Sequence, residues 1–196
     1  MAEDDALPVT VNQVDIGITK IRADAGTGID AWSGREYRML PQEAKEELAE
    51  LLSCINKSIA WPAQIQQAIV LLTQKPAGGK RPICLLSGLG KLWENVHSNT
   101  VLEWEHNRIG FWDDAVKNSS SLRAAAVRRV QAETASALGQ DFLCILWDAE
   151  KFYDNVNLKT LAIAAIKLGL HRRQLLLGLA LLLTPRTIKV GKVMGE

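Results

Sequence analysis

The sequence predicts an α+β fold, in which helices and strands follow one another without regular alternation. Long helical patterns occupy residues 41–57, 89–105 and 121–138, and strand-like apolar runs occupy residues 68–73 and 82–86. A further apolar run, at residues 142–148, ends in a carboxylate. With 196 residues and 47% hydrophobic content, the chain can bury one substantial core or two small lobes.

The N-terminal part combines a loose leader with a well-marked helix. Residues 1–25 are predicted to be loosely structured, and residues 25–28 (Ala-Gly-Thr-Gly) to form a loop. Pro41 suits the first turn of the helix at 41–57, whose N-terminal half is rich in glutamate. The apolar stripe of this helix consists of Leu48, Leu51, Leu52 and Ile55. Pro62 ends the region, because it disfavours helical backbone at Trp61.

A basic, glycine-rich turn separates the strand-like runs Ala68 to Thr73 and Pro82 to Leu86, so a β-hairpin is predicted. The tip carries Lys75, Lys80 and Arg81, and its glycines let the backbone approach a ligand closely. Cationic side chains can pair with the phosphate oxygens of a triphosphate. The simpler alternative is a turn that is charged for solubility.

The remaining elements are marked by their caps. The helix at 121–138 has a serine cap region and is followed by Gly139. Asn157 caps a predicted helix at 158–168, which Gly169 ends, and a further helix covers residues 171–183. Thr187 to Val190 is predicted to begin another strand.

The run from Phe142 to Asp148 is the most informative stretch, because a pattern typical of a buried strand delivers an acid at its end. A buried carboxylate is costly unless it is paired or bound to metal, so this position suits a divalent ion held beside a substrate. The simpler interpretation is a solvated acid at a strand end, with Phe152 and Tyr153 filling the core.

Composition excludes some functional classes. The three cysteines (Cys54, Cys84 and Cys144) share no metal-ligand spacing and are expected to be buried, reduced thiols. The acidic N-terminus does not resemble a secretory signal, and the longest apolar run, at 175–183, is too short to span a bilayer. We therefore expect a soluble, intracellular protein.

Charge is unevenly distributed along the chain. Residues 1–50 carry 5 Lys+Arg and 11 Asp+Glu, whereas residues 51–196 carry 18 and 11. A positive main body is compatible with a polyanionic partner, and equally with an ordinary solvated surface.

In this order, the features resemble the reverse transcriptase family, particularly its non-LTR retroelement and group II intron maturase branches. Residues 28–32 (Gly-Ile-Asp-Ala-Trp) are similar to the glycine–aspartate motif that opens the family's domain. Residues 75–86 are similar to the fingers signature of Lys-Pro, a glycine turn and Arg-Pro-Ile. Residues 148–156 are similar to the pattern Asp-x-x-x-Phe-Tyr/Phe-Asp-x-Val. The resemblance covers about residues 26–196.

This resemblance implies a right-hand polymerase, with a leader at 1–25, fingers at 26–140 and a partial palm at 141–196. Asp148 would be the catalytic residue and would bind Mg²⁺, with the carbonyl of Ala149 as a further ligand. Lys75 and Arg81 would hold the phosphates of the incoming nucleotide. Tyr153 would lie under its sugar and exclude a 2′-hydroxyl group, which implies deoxynucleotides.

The implied activity is RNA-directed DNA polymerisation, which uses deoxynucleoside triphosphates, an RNA template and a DNA or RNA primer. The implied location is the nucleus or the cytoplasm, and no membrane is expected as a partner. The family's second acidic motif, an aromatic-x-Asp-Asp hairpin, does not follow Val156. One carboxylate cannot fix two magnesium ions, so we expect the chain to be inactive alone.

Two alternatives to a polymerase fragment stay open. The first is a non-catalytic nucleic-acid-binding module derived from a decayed retroelement, in which the hairpin and Arg128-Arg129 would grip phosphates. The second is a structural α+β domain that shares the pattern by coincidence.

Overall fold

The computed structural model describes residues 8–76, 78–110, 120–145, 155–190 and 193–195, and it confirms the α+β class. In these ranges the helices are α1 (Val11–Lys20), α2 (Gly34–Arg38), α3 (Gln42–Ser58), α4 (Gly88–His106), α5 (Ser121–Ala137), α6 (Leu158–Lys167) and α7 (Arg172–Leu182). The strands are β1 (Ala68–Gln74), β2 (Lys80–Leu85), β3 (Arg186–Val190) and β4 (Val193–Gly195), and a 3₁₀ turn covers Ala63–Ile65.

One four-stranded sheet has the order β2-β1-β3-β4. β1 and β2 form the predicted antiparallel hairpin, in which Ile69 pairs with Leu85 and Thr73 with Arg81. β3 lies parallel to β1 on its other side, and β4 pairs antiparallel with β3. The sheet therefore joins a hairpin from the first half of the chain to strands from its last part.

The hydrophobic core lies among helices from the first half of the chain and from its last part. Its largest fully buried apolar side chains are Leu52 on α3, Leu92 on α4, Leu177 on α7 and Val14 on α1. The indole N–H of Trp61 donates a hydrogen bond to the carbonyl of Leu177 at 3.0 Å. α7 is thus fixed to the N-terminal helices by packing and by a buried hydrogen bond.

α1 corrects the prediction that residues 1–25 are loosely structured, which is wrong over Val11–Lys20. The hydroxyl of Thr10 accepts from the backbone N–H of Gln13, and the side chain of Gln13 accepts from the N–H of Thr10. This capping box satisfies two backbone donors at the start of the helix. Ile18 is buried in the core, and this packing stabilises a helix too short to be stable in isolation.

The predicted helices α3 to α7 are confirmed, and each of their ends lies within one residue of the predicted boundary. β1, β2 and β3 are also confirmed, with ends that lie within two residues of the predicted boundaries. α2, the 3₁₀ turn and β4 were not predicted. No helix in the described part of the chain is long and apolar enough to cross a bilayer.

The predicted strand at 142–148 is not formed over its described residues, 142–145. A strand needs a neighbour to satisfy its backbone groups, and the sheet pairs no strand with this segment. Leu143 is accordingly 83% exposed.

The prediction of buried cysteines is also wrong, because Cys54, Cys84 and Cys144 are all exposed. Cys84 lies on β2, which is an edge strand of the sheet, and Cys144 lies in the unpaired segment. Cys54 lies on α3 next to, and not within, the buried face that contains Leu52 and Ile55.

Candidate functional site

The turn of the β1–β2 hairpin depends on two glycines. The N–H of Lys75 donates to the carbonyl of Gly79, and the N–H of Gly78 donates to the carbonyl of Lys75, both at 3.0 Å. Gly78 and Gly79 have φ angles of 87° and 82°, in the left-handed region that favours glycine. A Cβ atom at either position would meet nothing within 4 Å, so backbone conformation, and not space, requires the glycines.

The tip of the hairpin presents three exposed cationic side chains, those of Lys75, Lys80 and Arg81. Within the described ranges, none of the three forms an ion pair. Arg81 lies opposite Thr73, whose hydroxyl donates to the Arg81 carbonyl at 3.1 Å. The cations are therefore available to an anionic ligand, on a backbone that is held by hydrogen bonds.

The register of the sheet adds one cation that the sequence did not single out. Lys189 on β3 lies beside Leu71, and Leu71 is two residues from Thr73, the partner of Arg81. Because side chains alternate between the two faces of a sheet, Lys189 and Arg81 lie on the same face. Lys80, one residue from Arg81, lies on the opposite face.

Asp30 fixes the junction between β2 and α4. Its Oδ1 accepts from the N–H of Gly88 at 2.9 Å, and its Oδ2 accepts from the N–H of Leu89 at 3.2 Å. The hydroxyl of Ser87 accepts from the N–H of Gly90 at 3.0 Å. Three backbone donors at the start of α4 are thereby satisfied, and the carboxylate lies where the helix dipole favours negative charge.

The loop that carries Asp30 is held closely against the end of the hairpin. A Cβ atom at Gly28 would lie 2.2 Å from the carbonyl oxygen of Leu86, so only glycine allows this approach. The ammonium group of Lys91, in the first turn of α4, donates to the carbonyl of Gly26. We call residues 26–30 the clamp, because they tie the last part of the hairpin to the start of α4.

The sequence did not reveal the capping role of Asp30, although it placed this residue in a motif. Capping residues are normally found beside the helix that they cap. Asp30 precedes Gly88 by 58 positions, so no local pattern identifies the contact.

The predicted site is described only in part. Lys75 and Arg81 lie together at the hairpin tip, whereas Asp148, Ala149 and Tyr153 lie outside the described residues. Their position relative to the hairpin stays a prediction. Among the residues that are described, no group of three or more His, Cys, Asp or Glu side chains is placed to hold a metal ion.

The chain is similar to a Drosophila melanogaster protein named "Probable RNA-directed DNA polymerase from transposon BS", with 31% identity over 100 residues. This similarity supports a reverse-transcriptase-like origin in a retroelement. The matched region covers 48% of this chain and only 11% of the relative. No protein-family model matches the chain.

Proposed function

We propose that this chain is the fingers and first part of the palm of an RNA-directed DNA polymerase of the non-LTR retroelement or maturase type, and that it is inactive alone. The observation that supports this most directly is the exposed cationic hairpin tip, held at its base by the clamp. In such a polymerase, the tip would bind the phosphates of the substrate. The ligand is a deoxynucleoside triphosphate, paired to an RNA template beside a DNA or RNA primer.

The chemistry of the tip suits the triphosphate. The planar guanidinium of Arg81 can donate two parallel hydrogen bonds to one phosphate group, whereas Lys75 contributes a compact charge. Lys189 would add positive charge on the face that carries Arg81. Asp148 and the carbonyl of Ala149 would hold Mg²⁺, which neutralises phosphate charge when bound. Tyr153 would select a sugar without a 2′-hydroxyl group.

The test is triphosphate binding by the full chain and by Arg81→Ala. Loss of a charge-assisted hydrogen bond costs about 1.5–3 kcal/mol, so we expect affinity to fall roughly 10- to 100-fold. Arg22→Ala is the matched control, because Arg22 is an exposed arginine that is not part of the hairpin and that pairs with Asp24. Equal affinities of the two variants for the triphosphate would refute the assignment of the tip.

A specific observation favours the alternative of a non-catalytic nucleic-acid-binding module. Along α5 the only buried residue is Ala124, and Arg123 and Arg129 are exposed on it. Such a helix could contact a phosphate backbone without chemistry. RNA binding that is salt-dependent, needs no magnesium and survives Asp148→Ala would favour this function.

A primer-extension assay tests whether the chain is inactive alone, as both proposals expect. We expect no product from the chain, even at high enzyme concentration, beyond that of a matched Asp148→Ala variant. Product above that control would show that the chain is active by itself.

A further inference from the structure

A pocket between α3 and the segment that carries α2 is open at the surface. Its volume is about 520 Å³, within the range of roughly 300–1,000 Å³ that is usual for binding sites. Its lining is mainly apolar and includes Leu48 and Leu89. Trp32 and Leu51 also line it and are 42% and 38% exposed, so part of this apolar surface meets solvent. We call this pocket the α3 groove. Exposed apolar surface of this kind often marks an interaction site.

The charged side chains that line the α3 groove are acidic. Among the described residues, they are Asp30 and Glu47. The Asp30 carboxylate already accepts from two backbone N–H groups at the start of α4. Glu47 is exposed and forms no ion pair within the described ranges. Glu43 precedes it by four positions, so these two carboxylates are neighbours on the helix surface and repel each other. The edge of the apolar groove therefore favours a cationic partner.

α5 has the opposite charge and leaves most of its surface uncovered. It carries Arg123, Arg128 and Arg129 and a single acid, Glu133. In the described structure Ala124 is the only residue of this helix that is buried. Arg129 pairs with Glu133 on the same helix, whereas Arg123 is exposed and forms no ion pair with a described residue. α5 is thus a cationic helix with little packing of its own.

One face of α5 forms an apolar ridge. Leu122, Ala126 and Val130 follow one another at intervals of four residues, so they lie along the same face. Leu122 is 78% exposed and Val130 is 61% exposed. Ala124 lies about 200° around the helix from Leu122, which is nearly the opposite side. The ridge therefore points away from the contact that buries Ala124, and Arg123 lies at its edge.

We propose that the ridge of α5 docks into the α3 groove of a second copy of this chain. Leu122 enters the apolar pocket, and Arg123, the next residue, pairs with Glu47 at the edge of the groove. Ala126, one turn further along α5, is small enough to let the two helices approach closely. The contact joins two different surfaces, so copies associate head to tail. It is separate from the hairpin tip and does not depend on the function proposed for that tip.

The size of the two surfaces predicts weak association. α5 has 17 residues, and one face of such a helix covers less than the roughly 800 Å² per partner of a standard interface. The dilute chain should therefore be monomeric. With increasing protein concentration its mean mass should rise past that of a dimer, because each copy offers both a ridge and a groove. Added salt should weaken the association, since the pair at the edge of the groove is in contact with water.

The test is sedimentation equilibrium of the full chain, freed of nucleic acid, over a range of concentrations. Glu47→Arg and Arg123→Glu should each raise the Kd for association at least about tenfold, because each replaces an attraction by a repulsion. The two substitutions in one chain should restore association, since the charges are then exchanged and still opposite. Glu103→Arg is the matched control for Glu47→Arg, because Glu103 is an exposed glutamate on α4 outside the groove. It should associate as the parent chain does.

The apolar contact is tested by Leu122→Ser, which leaves every charge in place. Because Leu122 is mostly exposed, the variant should fold as the parent chain does, and its Kd should rise about tenfold or more. In the parent chain, protection of α5 amides from hydrogen exchange should increase with protein concentration, and in Leu122→Ser it should not. Protection of α5 that is independent of concentration in the parent chain would contradict the docking of this helix.

Three outcomes of the sedimentation experiment would overturn the proposal. The first is a chain that stays monomeric at all concentrations. The second is an equal effect of Glu47→Arg and Glu103→Arg, or a double variant that does not regain association. The third is association that requires added RNA, which would mean that nucleic acid bridges the copies.

Discussion

At the scale of single residues, Asp30 connects two parts of the chain that are distant in sequence. Its carboxylate caps α4, although local capping rules cannot identify the contact. In contrast, the capping residues of α1 and α2 follow a pattern that is visible in the sequence. Thr10 with Gln13 and Ser33 with Glu36 form capping boxes, so both helices could have been predicted.

Because the Asp30 carboxylate caps α4, we expect the Asp30→Ala variant to be less stable than the parent chain. Two backbone donors at the start of α4 would lose their acceptor, so the free energy of unfolding should fall by about 1–2 kcal/mol. Urea denaturation measures this change. Asp24→Ala is the control, because Asp24 is an exposed carboxylate that pairs with the exposed Arg22, and the stability of this variant should stay close to that of the parent chain. Equal losses in the two variants would show that the cap is unimportant.

His97 predicts how stability depends on pH. Burial lowers its pKa in the folded chain to about 4, below its ordinary value of 6.5, so the unfolded chain binds more protons between these values. Stability should therefore fall as pH decreases from 6.5 towards 4, by roughly 1–3 kcal/mol from this residue. Below pH 4 the contribution is lost in full.

The comparison with His97→Gln isolates this effect, because other groups titrate in the same range. Denaturation midpoints of both proteins at several pH values give the difference. We expect the difference in stability to be largest near neutral pH and to shrink as the pH falls through the window. A constant difference would mean that His97 is not the titrating group.

At the scale of helices and strands, local sequence patterns predicted well which elements form and where they end, provided that the element has its own periodicity and caps. α3 and α4 are examples, and the hairpin followed from its glycine turn. The strand predicted at 142–148 is not formed at 142–145, because residues with high strand propensity still need a neighbouring strand with which to pair. Of the candidate site, the cations at the tip were predictable. The clamp depends on contacts with the start of α4, 58 positions away, and the placement of Lys189 depends on pairing across the sheet.

α5 and α4 should differ in local stability. α4 buries several side chains in the core, including Leu92 and Val96, whereas α5 buries only Ala124. Most helical stability comes from tertiary packing, so a helix with little packing opens easily. Native-state hydrogen exchange should show amides of α5 exchanging much faster than those in the middle of α4. Similar protection in both helices would require packing of α5 that the described residues do not show.

At the scale of the whole molecule, Trp61 ties the last third of the chain to the rest. Its indole packs edge-on against Trp93, with ring centroids 5.4 Å apart, and donates to the carbonyl of Leu177. The core is therefore shared between the regions expected to be fingers and palm.

Trp61→Phe should lower the free energy of unfolding by about 1–3 kcal/mol, because it removes a buried hydrogen bond and leaves a small cavity. Thermal and urea unfolding both measure the loss. Trp104→Phe is the matched control, since the indole of Trp104 also donates to a backbone carbonyl, that of Leu168 at 2.8 Å, but in an exposed setting. A larger loss in the control than in Trp61→Phe would contradict the central position of Trp61.

The parallel pairing of β1 with β3 has a consequence for synthesis on the ribosome. Ala68 pairs with Arg186, so the hairpin is complete long before its neighbour in the sheet has been translated. Until then, one side of β1 presents unpaired backbone groups to other nascent chains, which is a known route to misassembly. A contact between strands that are so far apart in the sequence also forms slowly. Folding yield in the cell should therefore depend on chaperones that shield this edge during translation.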